Sequence, residues 1–130
     1  MTHPAQTALK KATKGLLYGS EKDAPFKVVT LKGDTVTEAN IAELVGKPAD
    51  SPVETVPFER FFGELTTVHK WHSADDRAIV KRYQDLADVL RKELTHRHVF
   101  KVGQVKVTIV IAGQATDGTW LGLETDSLET

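Results

Sequence analysis

Between Gly103 and Gly113 the chain reads Gln104-Val105-Lys106-Val107-Thr108-Ile109-Val110-Ile111-Ala112. It starts by alternating apolar with polar residues and then becomes apolar at every position. Alternation marks a strand with one wet face, and a continuous apolar run marks a strand buried on both faces. Val105–Ala112 is therefore expected to be a central strand with a layer above it and another below. The Asp117-Gly118 pair beyond it is a hairpin signal, and the chain returns through Trp120-Leu121-Gly122-Leu123.

Helical spacing is clearest from Asp75 to Leu94. There Ile79, Tyr83, Leu86, Leu90 and Leu94 recur at three- and four-residue steps. Ser73 and Asp76 stand at capping-box distance before them, and His96 to His98 read as the helix end. Phe58, Phe61, Phe62 and Leu65 predict a shorter helix. Ala8, Leu9 and Ala12 give an inner stripe to a helix over Ala5 to Thr13, stopped by Gly15. Phe26 to Leu31 and Val53 to Val56 read as strands, with Pro57 suiting an edge or the first turn of the next element. Thr35 and Glu38 have the spacing to cap a short helix through Ile41, Leu44 and Val45, closed by Gly46. Gly19 to Pro25 is turn-rich and reads as an exposed loop. Several helices around an antiparallel or mixed sheet with a two-sided central strand predict a three-layer α/β/α sandwich.

A chain of 130 residues is one domain, 1–130, large enough to fold without a disulfide or a structural metal. It has no cysteine, which removes thiolate zinc sites and thiol catalysis. The start lacks the pattern of a secretion signal, and no apolar run reaches membrane-spanning length, so a cytoplasmic protein is expected. Seventeen basic against eighteen acidic side chains leave a net charge of −1, which leans against a direct nucleic-acid binder. The distribution is uneven. Residues 1–14 carry Lys10, Lys11 and Lys14 and no acid, while 114–130 carry Asp117, Glu124, Asp126 and Glu129 and no base. That second stretch reads either as a solvated tail or as a tail that docks on a cationic partner.

Catalytic patterns are missing. His69 and His72 bracket Lys70-Trp71, and His96 and His98 bracket Arg97, but neither spacing completes a metal shell. There is no phosphate loop, dinucleotide fingerprint or nucleophile elbow. Asp75 and Asp76 are explained by the first turn of a helix, where acids complement the dipole. Trp71 comes after the polar stretch Thr66-Thr67-Val68-His69-Lys70, where a tryptophan either folds back over the core or stands out as an interface anchor. Trp120 reads as sheet-face packing.

Gly15-Leu16-Leu17-Tyr18, Ser20-Glu21, Pro25-Phe26 and Val28, taken in order, resemble the opening of the nuclease A inhibitor family known from cyanobacteria. The likeness continues through Phe61-Phe62, Thr66-Thr67 ahead of Trp71, Ile79-Val80-Lys81, Val102-Gly103, Ile111-Ala112-Gly113 and the closing Glu129-Thr130. Each motif is short, and their collinearity carries the resemblance. It implies an α+β fold, a PR-1-like three-layer α/β/α sandwich with a mostly antiparallel sheet. It implies a bacterial protein inhibitor of a magnesium-dependent, sugar-non-specific nuclease of the ββα-metal class. It implies that Glu21, in an acidic loop, and the C-terminal Thr130 block the active site, with Trp71 joining the contact surface. Thr130 would reach the magnesium of the partner, so no metal, cofactor, catalysis, nucleic-acid or membrane contact is expected of the chain itself. Lys70 departs from the acidic residue that precedes this tryptophan in one relative of the family. That departure keeps open a protein-binding module on the same scaffold with a different, non-nuclease partner. A small-ligand protein or hydrolase using His69 or His72 is a third reading, weakened by the missing orienting partners.

Overall fold

A computed structural model of the protein describes residues 4–18, 24–33 and 35–128. Its centre is β6 (Lys106–Gln114), flanked by β7 (Trp120–Leu128) and β5 (Thr95–Val102). Outside these lie β3 (Lys27–Leu31) and β4 (Val53–Val56), giving the order β3-β7-β6-β5-β4 with every neighbour antiparallel. The expected hairpin joins β6 to β7, in register from Gln114↔Trp120 to Lys106↔Leu128. Asp117 serves the turn by accepting a hydrogen bond from the Thr119 amide at 3.0 Å.

Every residue from Val107 to Gly113 is buried, as a two-sided strand requires. Ile109 and Ile111 enter a core with Leu9 of α1 (Pro4–Thr13), the phenylalanines of α3 (Phe58–Leu65), and Leu86 and Leu90 of α4 (Ala74–Glu93). Val110 and Ala112 enter a second core on the opposite face with Leu31, Phe100 and Trp120. That face is covered by Val36 and by Ile41 and Ala42 of α2 (Ile41–Leu44), a single helical turn. The fold is α+β with a fully antiparallel five-stranded sheet. A separate two-stranded hairpin pairs β1 (Leu17–Tyr18) with β2 (Ala24–Pro25), so the end of the expected loop is a short strand.

The helix signals hold in their physical detail. Ser73 and Asp76 form a reciprocal capping box, each backbone amide bonded to the other's side chain at 3.1 Å. Gly15 and Gly46 end their helices with φ of +74° and +77°. Pro57 precedes α3 while β4 occupies the sheet edge. The box expected of Thr35 and Glu38 does not open a helix there, since α2 begins only at Ile41 and Glu38 is engaged elsewhere. The Thr55 hydroxyl of β4 donates to Glu38, while Asn40 accepts from the Thr37 amide at 2.8 Å and donates to the Thr35 carbonyl at 2.9 Å.

Three expectations are corrected. His96 to His98 do not end α4; Leu94 is already extended, and Thr95–Val102 is β5. A one-residue bulge between Thr95 and His98 places His96 at a left-handed φ of +50°, and this breaks the alternation that would have marked the strand. Arg97 caps the helix that precedes it, donating to the Leu94 and Arg91 carbonyls, and its guanidinium covers the Phe58 ring at 5.1 Å. Ile79 is 48% exposed, because the buried stripe of α4 runs through Val80, Tyr83, Leu86 and Leu90. Most of 114–130 is no tail, since Trp120–Leu128 lies inside the sheet between β3 and β6.

Gly113 fixes α4 against the sheet. A Cβ built there would stand 2.7 Å from Leu94 Cβ and 3.0 Å from Leu94 Cδ1, and Leu94 is fully buried. Gly113→Ala is expected to cost about 1–3 kcal/mol by overpacking. Urea unfolding checks this, with a lower midpoint at unchanged slope as the expected outcome.

Candidate functional site

Trp71 stands at the crest of the connection between α3 and α4. The Thr66 and Thr67 hydroxyls donate to the Phe62 and Gly63 carbonyls, each at 2.6 Å, which closes the last turn of α3. The capping box at Ser73 then starts α4, leaving Val68 to His72 to turn the chain. Trp71 is 76% exposed, so it is not a lid on the core. Its indole lies parallel to the His69 ring (5.1 Å, 4°) and meets His72 edge-on (4.2 Å, 73°). Beside it runs a shallow groove shared with Leu65, Ile79, Val80 and Tyr83, and with the carboxylates of Glu64 and Asp76.

Glu21 and Thr130 lie outside the described residues, as do Gly19 to Asp23, Asp34 and Glu129. The described chain beside them can be placed. Leu17–Tyr18 and Ala24–Pro25, on either side of Glu21, pair as Leu17↔Pro25 and Tyr18↔Ala24. The Tyr18 ring stacks on Phe61 at 6.0 Å, and the Thr125 hydroxyl of β7 donates to the Ala24 carbonyl at 3.4 Å. Ala24 and Pro25 line one cavity with Asp126, Ser127 and Leu128, the last described residues of the chain. The Tyr83 hydroxyl, from the groove beside Trp71, donates to the Leu17 carbonyl at 2.6 Å. Leu94 packs on Gly113 near the C-terminal end of β6. Tyr83, in the N-terminal half of α4, also meets the Phe26 ring at 6.3 Å, so that half of the helix lies beside β1 and the chain after β2. Tyr83 thus links the groove beside Trp71 to the chain before Glu21, and Ala24 and Pro25 link the chain after Glu21 to the last described residues.

Charged residues also lie along β7, from its middle at Glu124 to Asp126. Lys27 faces Glu124 across β3 and β7, and Thr108 faces Asp126 across β6 and β7. The Lys47 ammonium donates to the Val102 and Lys106 carbonyls at 3.2 Å each. Burial, with the neighbouring Asp126 charge, pushes the Glu124 carboxyl above its usual range, and Lys27 and Lys47 oppose the shift. Asp76 is held below the ordinary carboxylate range, first by hydrogen bonds from Ser73 and then by the charge of His72. Among the described residues no group of three or more His, Asp or Glu could hold a metal ion. No described helix is long and apolar enough to cross a membrane.

One member of the site is not legible as such in the sequence. Ile79 fits the helical period from either flank of the stripe, so spacing alone assigns it to the core. Glu124 lies outside the groove, at the middle of β7, although composition groups it with the acidic end.

The chain matches the family described as nuclease A inhibitor-like protein over residues 3–130. It belongs to that family. No curated protein matches it.

A carboxyl raised in the folded state binds its proton more tightly there than in the unfolded chain. Its stabilising contribution is present below the ordinary carboxylate value and is lost as pH rises through the folded-state value. Glu124→Gln is therefore expected to raise Tm at neutral pH, with the gain disappearing below about pH 4. Thermal unfolding of both proteins across that interval measures it, and an equal gain at all pH would assign the effect to packing.

Proposed function

We propose that this protein inhibits a magnesium-dependent, sugar-non-specific nuclease of the ββα-metal class by occluding its active site. Glu21 and the C-terminal Thr130 act as the blocking groups and Trp71 anchors the contact. The observation that supports the reading is Trp71, largely exposed beside a groove whose Tyr83 bonds to the chain before Glu21. Membership of the inhibitor-like family supports it. The chemistry rests on elementary grounds. A nuclease site is built from cations and magnesium to hold phosphates, and carboxylates on a rigid fold occupy the same field. The hydroxyl and carboxylate oxygens of Thr130 suit the magnesium of the partner, which commonly keeps exchangeable waters.

The reading extends to a bacterial, cytoplasmic protein with no catalysis, cofactor or metal of its own. It also takes the two apolar clusters on opposite sheet faces as the cores of a PR-1-like three-layer sandwich, with α2 and the chain before it as the thin third layer. One observation favours a second reading. Lys70, exposed beside Trp71, places a cation where a cationic nuclease surface would repel it. A non-nuclease partner with an acidic patch would instead attract it.

Inhibition of a magnesium nuclease of this class by the full-length protein and by Glu21→Ala, Trp71→Ala and Thr130-deleted variants tests the proposal. Glu21→Ala is expected to cost about 2–5 kcal/mol of binding. Trp71→Ala is expected to cost about 2 kcal/mol or more as an interface anchor, while folding stability moves by less than about 0.5 kcal/mol. Deleting Thr130 should damage inhibition without lowering Tm. Equal potency for all four proteins would contradict the proposed mechanism. Failure of the full-length protein to bind any such nuclease would favour the second reading.

A further inference from the structure

The turn that carries Trp71 is closed twice between the same two residues. The His72 amide donates to the His69 carbonyl at 3.1 Å, and the His69 amide donates to His72 Nδ1 at 3.0 Å. Lys70 and Trp71 are the central residues of this turn. The His69 ring, parallel to the indole, meets the His72 ring edge-on at 5.1 Å, so the three rings form one cluster. A largely exposed tryptophan is thereby held in one place by its neighbours.

The second bond depends on protonation. A ring nitrogen accepts a hydrogen bond only through its lone pair, so the bond from His69 fixes His72 as the neutral tautomer with its proton on Nε2. A proton added at Nδ1 abolishes that bond. The resulting cation has carboxylates near it from both helices that bound the groove, Glu64 of α3 and Asp76 of α4, with Asp75 next in α4. On its own turn it meets Lys70 and the His69 ring. Asp76 already responds electrostatically to His72. Protonation therefore removes the bond that closes the turn and offers the ring a different partner.

We propose that His72 is a proton-sensitive positioning residue for Trp71. When neutral it holds the 69–72 turn closed and presents the indole. When protonated it turns toward Asp76 and Glu64, the turn opens, and docking through Trp71 weakens. The docking half rests on the reading of Trp71 as a partner contact; the turn-closing half concerns the free protein alone.

Two variants separate proton sensing from mere structure. In His72→Asn the side-chain carbonyl can replace Nδ1 as acceptor and does not titrate; His72→Ala has no acceptor. The first readout is nuclear magnetic resonance of the free protein between pH 8 and pH 5, the interval across which imidazoles ordinarily take up a proton. It tracks the ring nitrogen shifts of His72 and the exchange protection of the His69 amide. The expected result is the Nε2–H tautomer at pH 8, with protection that is lost as the wild-type ring titrates. Protection should persist throughout in His72→Asn and be low throughout in His72→Ala. An Nδ1–H tautomer at pH 8, or protection in His72→Asn that takes the wild-type course, would overturn the proposal.

The second readout is inhibition of a magnesium nuclease by wild type and His72→Asn at each pH, taken as a ratio so that the nuclease's own pH dependence cancels. Wild type should lose about tenfold in potency relative to His72→Asn at pH 5, the effect of one modest hydrogen bond. A ratio that stays constant with pH would overturn the link to docking. If wild type inhibits at neither pH, the inhibitor reading fails, and the resonance data still decide the role of His72 in the turn.

Discussion

The two-sided burial of β6 is the constraint on which the rest of the molecule depends. Ile109 and Ile111 need one apolar layer, and Val110 and Ala112 need another on the opposite face. The first is supplied by α1, α3 and α4, whose aromatic and aliphatic stripes converge on the sheet. The second is supplied by one helical turn and the residues before it. Because β6 is central, its neighbours must be strands, and the hairpin at Asp117-Gly118 supplies one of them without a long connection. Gly113 lets Leu94 approach this strand closely, and that contact sets where α4 ends and hence where it begins.

The proposed site is a consequence of where the rigid elements stop. The C-terminal end of α4 packs on Gly113, and the Ser73 cap at its other end follows closely on Trp71. The Tyr83 hydroxyl ties the groove beside Trp71 to β1, and the Thr125 hydroxyl ties β2 to β7. The chain entering and leaving the Glu21 segment is thus bonded to a helix on one side and to the sheet on the other. The middle of β7 carries a cost in Glu124, a carboxylate that burial and Asp126 both disfavour. Lys27 and Lys47 offset part of it.

How much of this is readable in the sequence depends on which signals are local. The Val105–Ala112 run, the phenylalanine spacing of α3 and the Ser73–Asp76 box each state their structure within a few residues. The strand at Thr95 is hidden because no glycine or proline separates it from α4, and because the bulge at His96 disrupts its alternation. Thr35 and Glu38 carry a true capping signal that a tertiary hydrogen bond from Thr55 overrides. The exposure of Trp71 is open in the sequence because a turn between helices can lay a tryptophan inward or outward. The ring contacts with His69 and His72 that decide it are visible only in three dimensions. Glu21 and Thr130 enter through family resemblance, since a loop acid and a terminal threonine have no physical pattern of their own.

The central claim, that this fold acts by occupying the phosphate and magnesium site of a nuclease, predicts strict competition with nucleic acid. The direct measurement is binding of the protein to a magnesium nuclease of the proposed class at rising concentrations of a non-hydrolysable oligonucleotide. Apparent affinity should fall in proportion to oligonucleotide occupancy, with one protein displaced for each substrate analogue bound. Undiminished binding to a nuclease already saturated with oligonucleotide would contradict the account.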